Sequence, residues 1–269
     1  MRDLFKYWIS IAFIFLPFIG CSALMHVNIY PISKDMELGK QMDEAIRKDP
    51  KDYPLLKSRP DIKEYVVQVG RKVLASPDIV YRNQFVYQFE IIEDDSTVNA
   101  FCTPGGYVYV YTGLLKFVDN EATLAGVLAH EIAHAEKRHS TNKMTAQNGL
   151  QTVIGLASGK IGESGAQVAG AVAGIGLLKF NRTEEEEADT YSFKYLKSTE
   201  YYPGAIRFFF EKIGLNQKNG MFAQLLSTHP LPQDRFDNIN NLLSEAGNPP
   251  SNESNLFAER YQKFKQTLP

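Results

Sequence analysis

Two histidines four residues apart with a glutamate between them, His130-Glu131-Ile132-Ala133-His134, constrain this chain more than any other feature. Residues spaced by four share one face of an α-helix, so both imidazoles reach a single metal ion only if this stretch is helical. The flanking pattern agrees. Leu124, Leu128 and Ile132 also recur every four residues as an apolar stripe, with Asp119 or Asn120 placed to cap the helix. Glu131 lies about 100° round the helix from His130, beside the ligands, where a carboxylate can take a proton from zinc-activated water. Ordinary residue frequencies give roughly one accidental HExxH per hundred chains of this length. Such an accident would leave three polar side chains on a half-buried helix without partners. The expectation is a zinc site with His130 and His134 as ligands and Glu131 as general base.

A catalytic zinc takes three protein ligands and keeps one position open for water. Three residues are candidates for the third. His139, five residues after His134, is turned about 140° from it on a continuous helix. The HExxHxxGxxH pattern is absent, because Lys137 and Ser140 stand at its Gly and final His positions. His139 therefore reads as a supporting or surface residue. In Glu184-Glu185-Glu186-Glu187-Ala188-Asp189, Glu185 and Asp189 lie four apart and can respectively bind zinc and hold a ligand histidine. His229 stands in Thr228-His229-Pro230 with Arg235 following, in what reads as a loop.

The rest of the pattern predicts a mainly helical α+β domain with a small sheet next to the zinc helix. Ser33 caps a helix carrying Leu38, Met42 and Ile46, and Asp61 caps another carrying Tyr65, Val69 and Val73. Alternation from Gln84 to Ile92 predicts a strand. Val98–Thr103 and Tyr107–Thr112 predict two more, joined across Pro104-Gly105-Gly106. The Gly- and Ala-rich stretch 149–178 can pack closely on a helix or move as a flap. Residues 246–269 form a polar tail in which Phe257, Tyr261 and Phe264 can lay one edge of a helix on the domain. A net charge of −2 with mixed signs offers no basic stripe for phosphates, so nucleic acid is not an expected partner. With one cysteine left after Cys21, Cys102 is expected to be a small buried side chain rather than half of a disulfide.

The beginning of the chain reads as an address. Arg2 and Lys6 precede an apolar run, Tyr7 to Gly20, too short for a span of about 20 residues, so residues 1–20 are expected to be a signal peptide. Phe18-Ile19-Gly20-Cys21 resembles a lipobox, which makes Cys21 the expected lipidation site. Residues 21–32 then form a lipid-anchored tether, with 33–245 as the enzyme domain. Ser22 after that cysteine resembles the signal for outer-membrane delivery, facing the periplasm in a diderm host.

Asn99-Ala100 with Pro104-Gly105-Gly106, HEIAH followed by Arg138-His139, and Arg182-Thr183-Glu184-Glu185-Glu186-Glu187-Ala188-Asp189 together cover much of residues 33–240. In these motifs the chain resembles the M48 family of zinc metallopeptidases, in particular its periplasmic lipoprotein members. The last motif matches the family's R-x-x-E-x-E-A-D, with Asn181 in place of a frequent serine. The resemblance implies a zincin-type (gluzincin) domain, Zn2+ as cofactor, Glu185 as third ligand and Asp189 as its supporting carboxylate. It also implies that His229, with Arg235 behind it, approaches the metal to regulate access or to stabilise the transition state. The implied activity is endoproteolysis of extended or unfolded polypeptides in the cell envelope. A chaperone or assembly lipoprotein with latent or no peptidase activity is the alternative.

Overall fold

A computed structural model describes residues 28–146, 179–216, 220–230 and 233–269. The chain divides into two units, Met1–Pro31 with Thr141–Ile161 and Ile32–Ser140 with Gly162–Pro269. In the first, Asn28 Nδ2 donates to Thr141 Oγ1 at 2.8 Å and Thr145 Oγ1 donates to the Thr141 carbonyl at 2.9 Å. The signal, lipidation and flap expectations at 1–20, Cys21 and 149–178 lie outside the described residues, as do 21–27 of the expected 21–32 tether, whose last residue, Ile32, is already helical.

The larger unit starts with α1 (Ile32–Lys48) and α2 (Pro60–Leu74). α1 buries its predicted stripe, Leu38-Met42-Ile46, and α2 buries Val69 and Val73 of its own, with Tyr65 partly buried against the core. Their starts differ from expectation. Ser33 lies inside the first turn of α1, and α2 begins on Pro60, whose missing N–H costs nothing there, while Asp61 pairs with Arg59 at 2.6 Å.

Three strands follow, β1 (Gln88–Ile92), β2 (Ala100–Thr103) and β3 (Tyr107–Tyr111), in the order β1-β3-β2. β1 runs parallel to β3 and β2 antiparallel to it. The β2–β3 turn uses the left-handed region twice, at Gly105 (φ 75°) and Gly106 (φ 92°), and a Cβ on Gly106 would meet the Tyr87 ring at 2.9 Å. Tyr87 itself has φ 42°, which is why the strand begins at Gln88 and not at Gln84.

After α3 (Thr112–Phe117), the Asn120 side chain accepts from Thr123 N at 2.8 Å and starts α4 (Glu121–Glu136), the helix that carries HEIAH. α4 is buried along its whole length rather than on one stripe, because α2, the sheet, α5 (Arg182–Lys197) and α6 (Ile206–Asn216) pack around it. A short 3-10 turn, Gly220–Phe222, leads into α7 (Ala223–Thr228), and α8 (Gln233–Glu245) packs on α5.

The chain closes with α9 (Glu253–Leu256) and α10 (Ala258–Lys265). α10 buries Tyr261 and Phe264; the Tyr261 hydroxyl donates to the Leu115 carbonyl at 2.7 Å. Arg260 grips Glu121, the first residue of α4, with two hydrogen bonds of 2.6 and 2.5 Å. Cys102 is a free thiol, partly buried against the core. Among the described residues, no helix is long and apolar enough to cross a membrane.

Candidate metal centre

One turn of α4 and one turn of α5 face each other to make the site. On α4, His130 Nε2 and His134 Nε2 point to a common spot and lie 3.0 Å apart. On α5, Glu185 and Asp189 share a face, as a four-residue spacing requires. Glu185 Oε2 is 3.5 Å from His130 Nε2, and Glu185 Oε1 is 3.5 Å from His134 Nε2. Donors on a tetrahedral ion with bonds of about 2.0–2.1 Å sit about 3.3 Å apart. The observed separations bracket that value, so these three residues fit one small divalent cation.

Electrostatics point the same way. Glu131, Glu185 and Asp189 are all buried and the Arg235 guanidinium is the cation among them, so with neutral imidazoles the formal charge is −2, which one divalent ion cancels. The metal-free imidazoles already compete for a positive charge. Burial disfavours it on His130, but the carboxylates of Asp189 and Glu185 outweigh burial and raise that ring to about 9. Burial, and then the charge on His130, hold His134 well below its ordinary value. Glu185 is pushed up by burial yet ends well below the usual carboxylate range, because His229 and Arg235 outweigh it.

The support behind the donors is ionic. Arg235, at the start of α8, forks onto Asp189 with two bonds of 2.7 Å and reaches Glu185 Oε2 with Nη1 at 2.6 Å. Asp189 Oδ1 in turn faces His130 Nδ1 at 2.9 Å. Asp189, expected from the resemblance as the supporting carboxylate, thus touches a ligand histidine, and Arg235 touches the ligand glutamate.

Glu131 sits beside the donors, as its helical position requires. Its Oε2 is buried with no hydrogen-bond partner among the described residues, and burial raises the carboxyl above its ordinary range. His229 caps the C-terminal end of α7; its Nδ1 is 2.9 Å from Glu185 Oε1 and its Nε2 is 3.8 Å from Glu131 Oε1. One ligand atom from each of His130, His134, Glu185 and His229 falls within 4.8 Å of the others. Glu131 and His229 open onto an apolar pocket lined by Val127, Ile206, Phe209, Ile213 and Leu225.

One feature escaped the sequence reading, and another, the supporting place of His139, arises by a different route from the one expected. Phe180, just before the Asn181 cap of α5, stacks on the His134 ring at a centroid distance of 3.9 Å. A lone aromatic before a helix cap carries no signal of such a role. His139 is not turned away from the site, because α4 does not continue to it: the helix ends at Glu136, and Arg138 adopts φ 56°. Two hydrogen bonds to Asp35 Oδ2, of 2.9 and 2.6 Å, hold Arg138 there. The kink returns His139 to the centre, where it is 2% exposed.

Comparison with known proteins agrees with this geometry. The family model described as Peptidase family M48 matches residues 60–243. A Beta-barrel assembly-enhancing protease of Yersinia pestis is 29% identical over 259 residues, 91% of this chain and 51% of that protein. The protein of the same name in Escherichia coli O157:H7 is 30% identical over 84% of this chain and 46% of its own length. The Mitochondrial metalloendopeptidase OMA1 of Schizosaccharomyces pombe is 32% identical over 68% of this chain and 53% of that protein. The chain thus spans about half the length of these relatives.

Proposed function

The chain belongs to peptidase family M48 and is a metallopeptidase, and from that premise we propose that it is a zinc-dependent endopeptidase of the cell envelope acting on extended or misfolded polypeptides. The observation that carries the reading is the convergence of His130 Nε2, His134 Nε2 and the Glu185 carboxylate beside a buried oxygen of Glu131. In it, His130, His134 and Glu185 hold Zn2+, and Asp189 and Arg235 hold the ligands.

Zinc, when bound, supplies a Lewis acid that acidifies water and polarises a carbonyl. Glu131 is the general base: its buried oxygen accepts a proton from the attacking water and delivers it to the departing amine. His229, on the Glu131 side of the donors, donates to the developing oxyanion of the scissile carbonyl. The substrate pairs its backbone with β2, an edge strand packed on α4, which makes recognition depend little on sequence. The pocket beside Glu131 takes an apolar side chain next to the scissile bond.

Localisation rests on the address at the start of the chain: export by residues 1–20, lipid on Cys21 and, in a diderm host, a position on the outer membrane facing the periplasm. The two bacterial relatives named for β-barrel assembly make envelope proteins the substrate class of this proposal. One observation favours a second reading, an assembly lipoprotein with latent or no peptidase activity. His229 brings a fourth donor near the other three, and four protein ligands are what close a structural zinc site.

Zinc content and casein cleavage, measured on wild type, Glu131→Gln and Glu185→Ala, separate the readings. The peptidase predicts about one zinc and cleavage in wild type, zinc without cleavage in Glu131→Gln, and loss of zinc in Glu185→Ala. Zinc in wild type with no cleavage, unchanged by Glu131→Gln, would leave the latent protein.

A further inference from the structure

The two ligand histidines are held in different ways. Behind His130 stands the buried Asp189 carboxylate, 2.9 Å from Nδ1. Behind His134 no carboxylate of the described residues is in reach; its Nδ1 instead faces Nδ1 of another imidazole, His139, at 2.8 Å. On the far side, His139 Nε2 is 3.0 Å from Glu187 Oε2, and Lys137 Nζ holds the other Glu187 oxygen at 2.8 Å.

For a His139 that carries a single proton, donor and acceptor capacity gives this chain a direction. A carboxylate only accepts, so the proton of neutral His139 lies on Nε2, which donates to Glu187. Its Nδ1 is then bare and can only accept, and the 2.8 Å contact requires a proton on His134 Nδ1. His134 Nε2 is thereby left with its lone pair, aimed at the spot it shares with His130 and Glu185.

We propose that His139, anchored by Glu187, is a positioning residue that fixes the tautomer and ring angle of His134 for the metal, in a carboxylate–histidine–histidine relay. The relay rests on the metal-centre reading above and exists only because Arg138 breaks the helix with φ 56° and Asp35 holds the break. A left-handed arginine is a costly conformation, and this contact is what it brings about. Glu187 lies at the half-exposed end of the relay, so it can be altered without opening the core.

The test is zinc affinity of the full chain by competition with a chromophoric chelator, together with the visible spectrum of the cobalt(II)-substituted protein and thermal unfolding of the metal-free form. His139→Ala should weaken zinc binding about ten- to hundredfold and shift the cobalt bands. His139→Gln, whose amide oxygen can accept from His134 while its NH2 donates to Glu187, should recover most of the loss. Glu187→Gln should cost severalfold with unchanged unfolding of the metal-free protein. Unchanged zinc affinity in folded His139→Ala, or no recovery in a folded His139→Gln, overturns the relay. Should His139→Ala not fold, Glu187→Gln decides alone, and unchanged affinity there overturns the relay. If wild type takes up no metal, the metal centre itself fails and the relay with it; if wild type binds and His139→Ala binds equally, only the relay fails.

Discussion

Arg235 shows what a single buried side chain does in this centre. Its guanidinium is 2% exposed and touches Asp189 with both arms of its fork and Glu185 with the remaining nitrogen. Truncation would leave two carboxylates dry and uncompensated. Breaking a buried pair by removing one partner costs about 3–5 kcal/mol. Arg235→Met should therefore lower the urea midpoint by a corresponding amount in the metal-free protein, and by less with zinc bound, since the ion replaces part of the missing charge. A loss below about 1 kcal/mol would mean that Asp189 and Glu185 take up protons or water instead. At this scale spacing along a helix made His130, Glu131 and His134 legible directly, whereas it left Glu185 with Asp189 as one candidate among three, and the resemblance to the M48 family made that choice. Phe180 and the true position of His139 were not legible. The first depends on a partner distant in sequence, and the second on one backbone angle at Arg138 that no side-chain pattern announces.

Among the elements, α4 is the one that every part of the centre refers to, and it is fixed at both ends. Glu121 at its N-terminus accepts from Arg260 of α10 and from the hydroxyls of Tyr65 and Tyr201, a negative charge where the helix dipole favours one. Glu136 at its other end accepts from the backbone N–H groups of Val80 and Tyr81 and from the Tyr87 hydroxyl. Burial on all faces explains why its polar residues could be predicted but its surroundings could not: periodicity reports one stripe, whereas four partners arrive from distant parts of the sequence. The sheet shows the same limit. Its hairpin was readable from the glycine turn, but the parallel pairing of β1 with β3 is a tertiary choice. Close approach also governs the middle of α4. A Cβ on Gly126 would lie 2.8 Å from the backbone nitrogen of Ile206, in the first turn of α6. Alanine normally favours a helix over glycine by about 1 kcal/mol, but a backbone clash of this kind costs about 1–3 kcal/mol. Gly126→Ala is expected to lower Tm by about 2–6 °C and, because His130 is one turn further along, to weaken zinc binding; a rise in Tm would show that α6 yields freely.

For the whole molecule, the metal and the fold are linked through donors drawn from α4, α5 and the end of α7. An ion bound only by the folded chain adds about 4.1 kcal/mol of stability at a thousandfold excess over Kd, so a chelator should lower Tm, and the drop should depend on pH in a definite direction. In the metal-free protein the carboxylates of Asp189 and Glu185 outweigh burial and raise His130 to about 9, against about 6.5 in an unfolded chain. A group whose folded value is raised contributes stability that is complete below its unfolded value and is lost as pH climbs through the folded one. The chelated protein should therefore lose stability between about pH 6.5 and 9. The zinc-loaded protein needs both imidazoles deprotonated and holds its metal more tightly across the same range. The gap in Tm between the two forms is expected to widen steadily from pH 6.5 to 9, read by thermal scans with and without chelator. His130→Ala, which cannot hold the proton, should flatten the curve of the chelated form; a gap that stays constant would mean that His130 takes up no proton when the metal leaves, and that Arg235 alone balances the carboxylates.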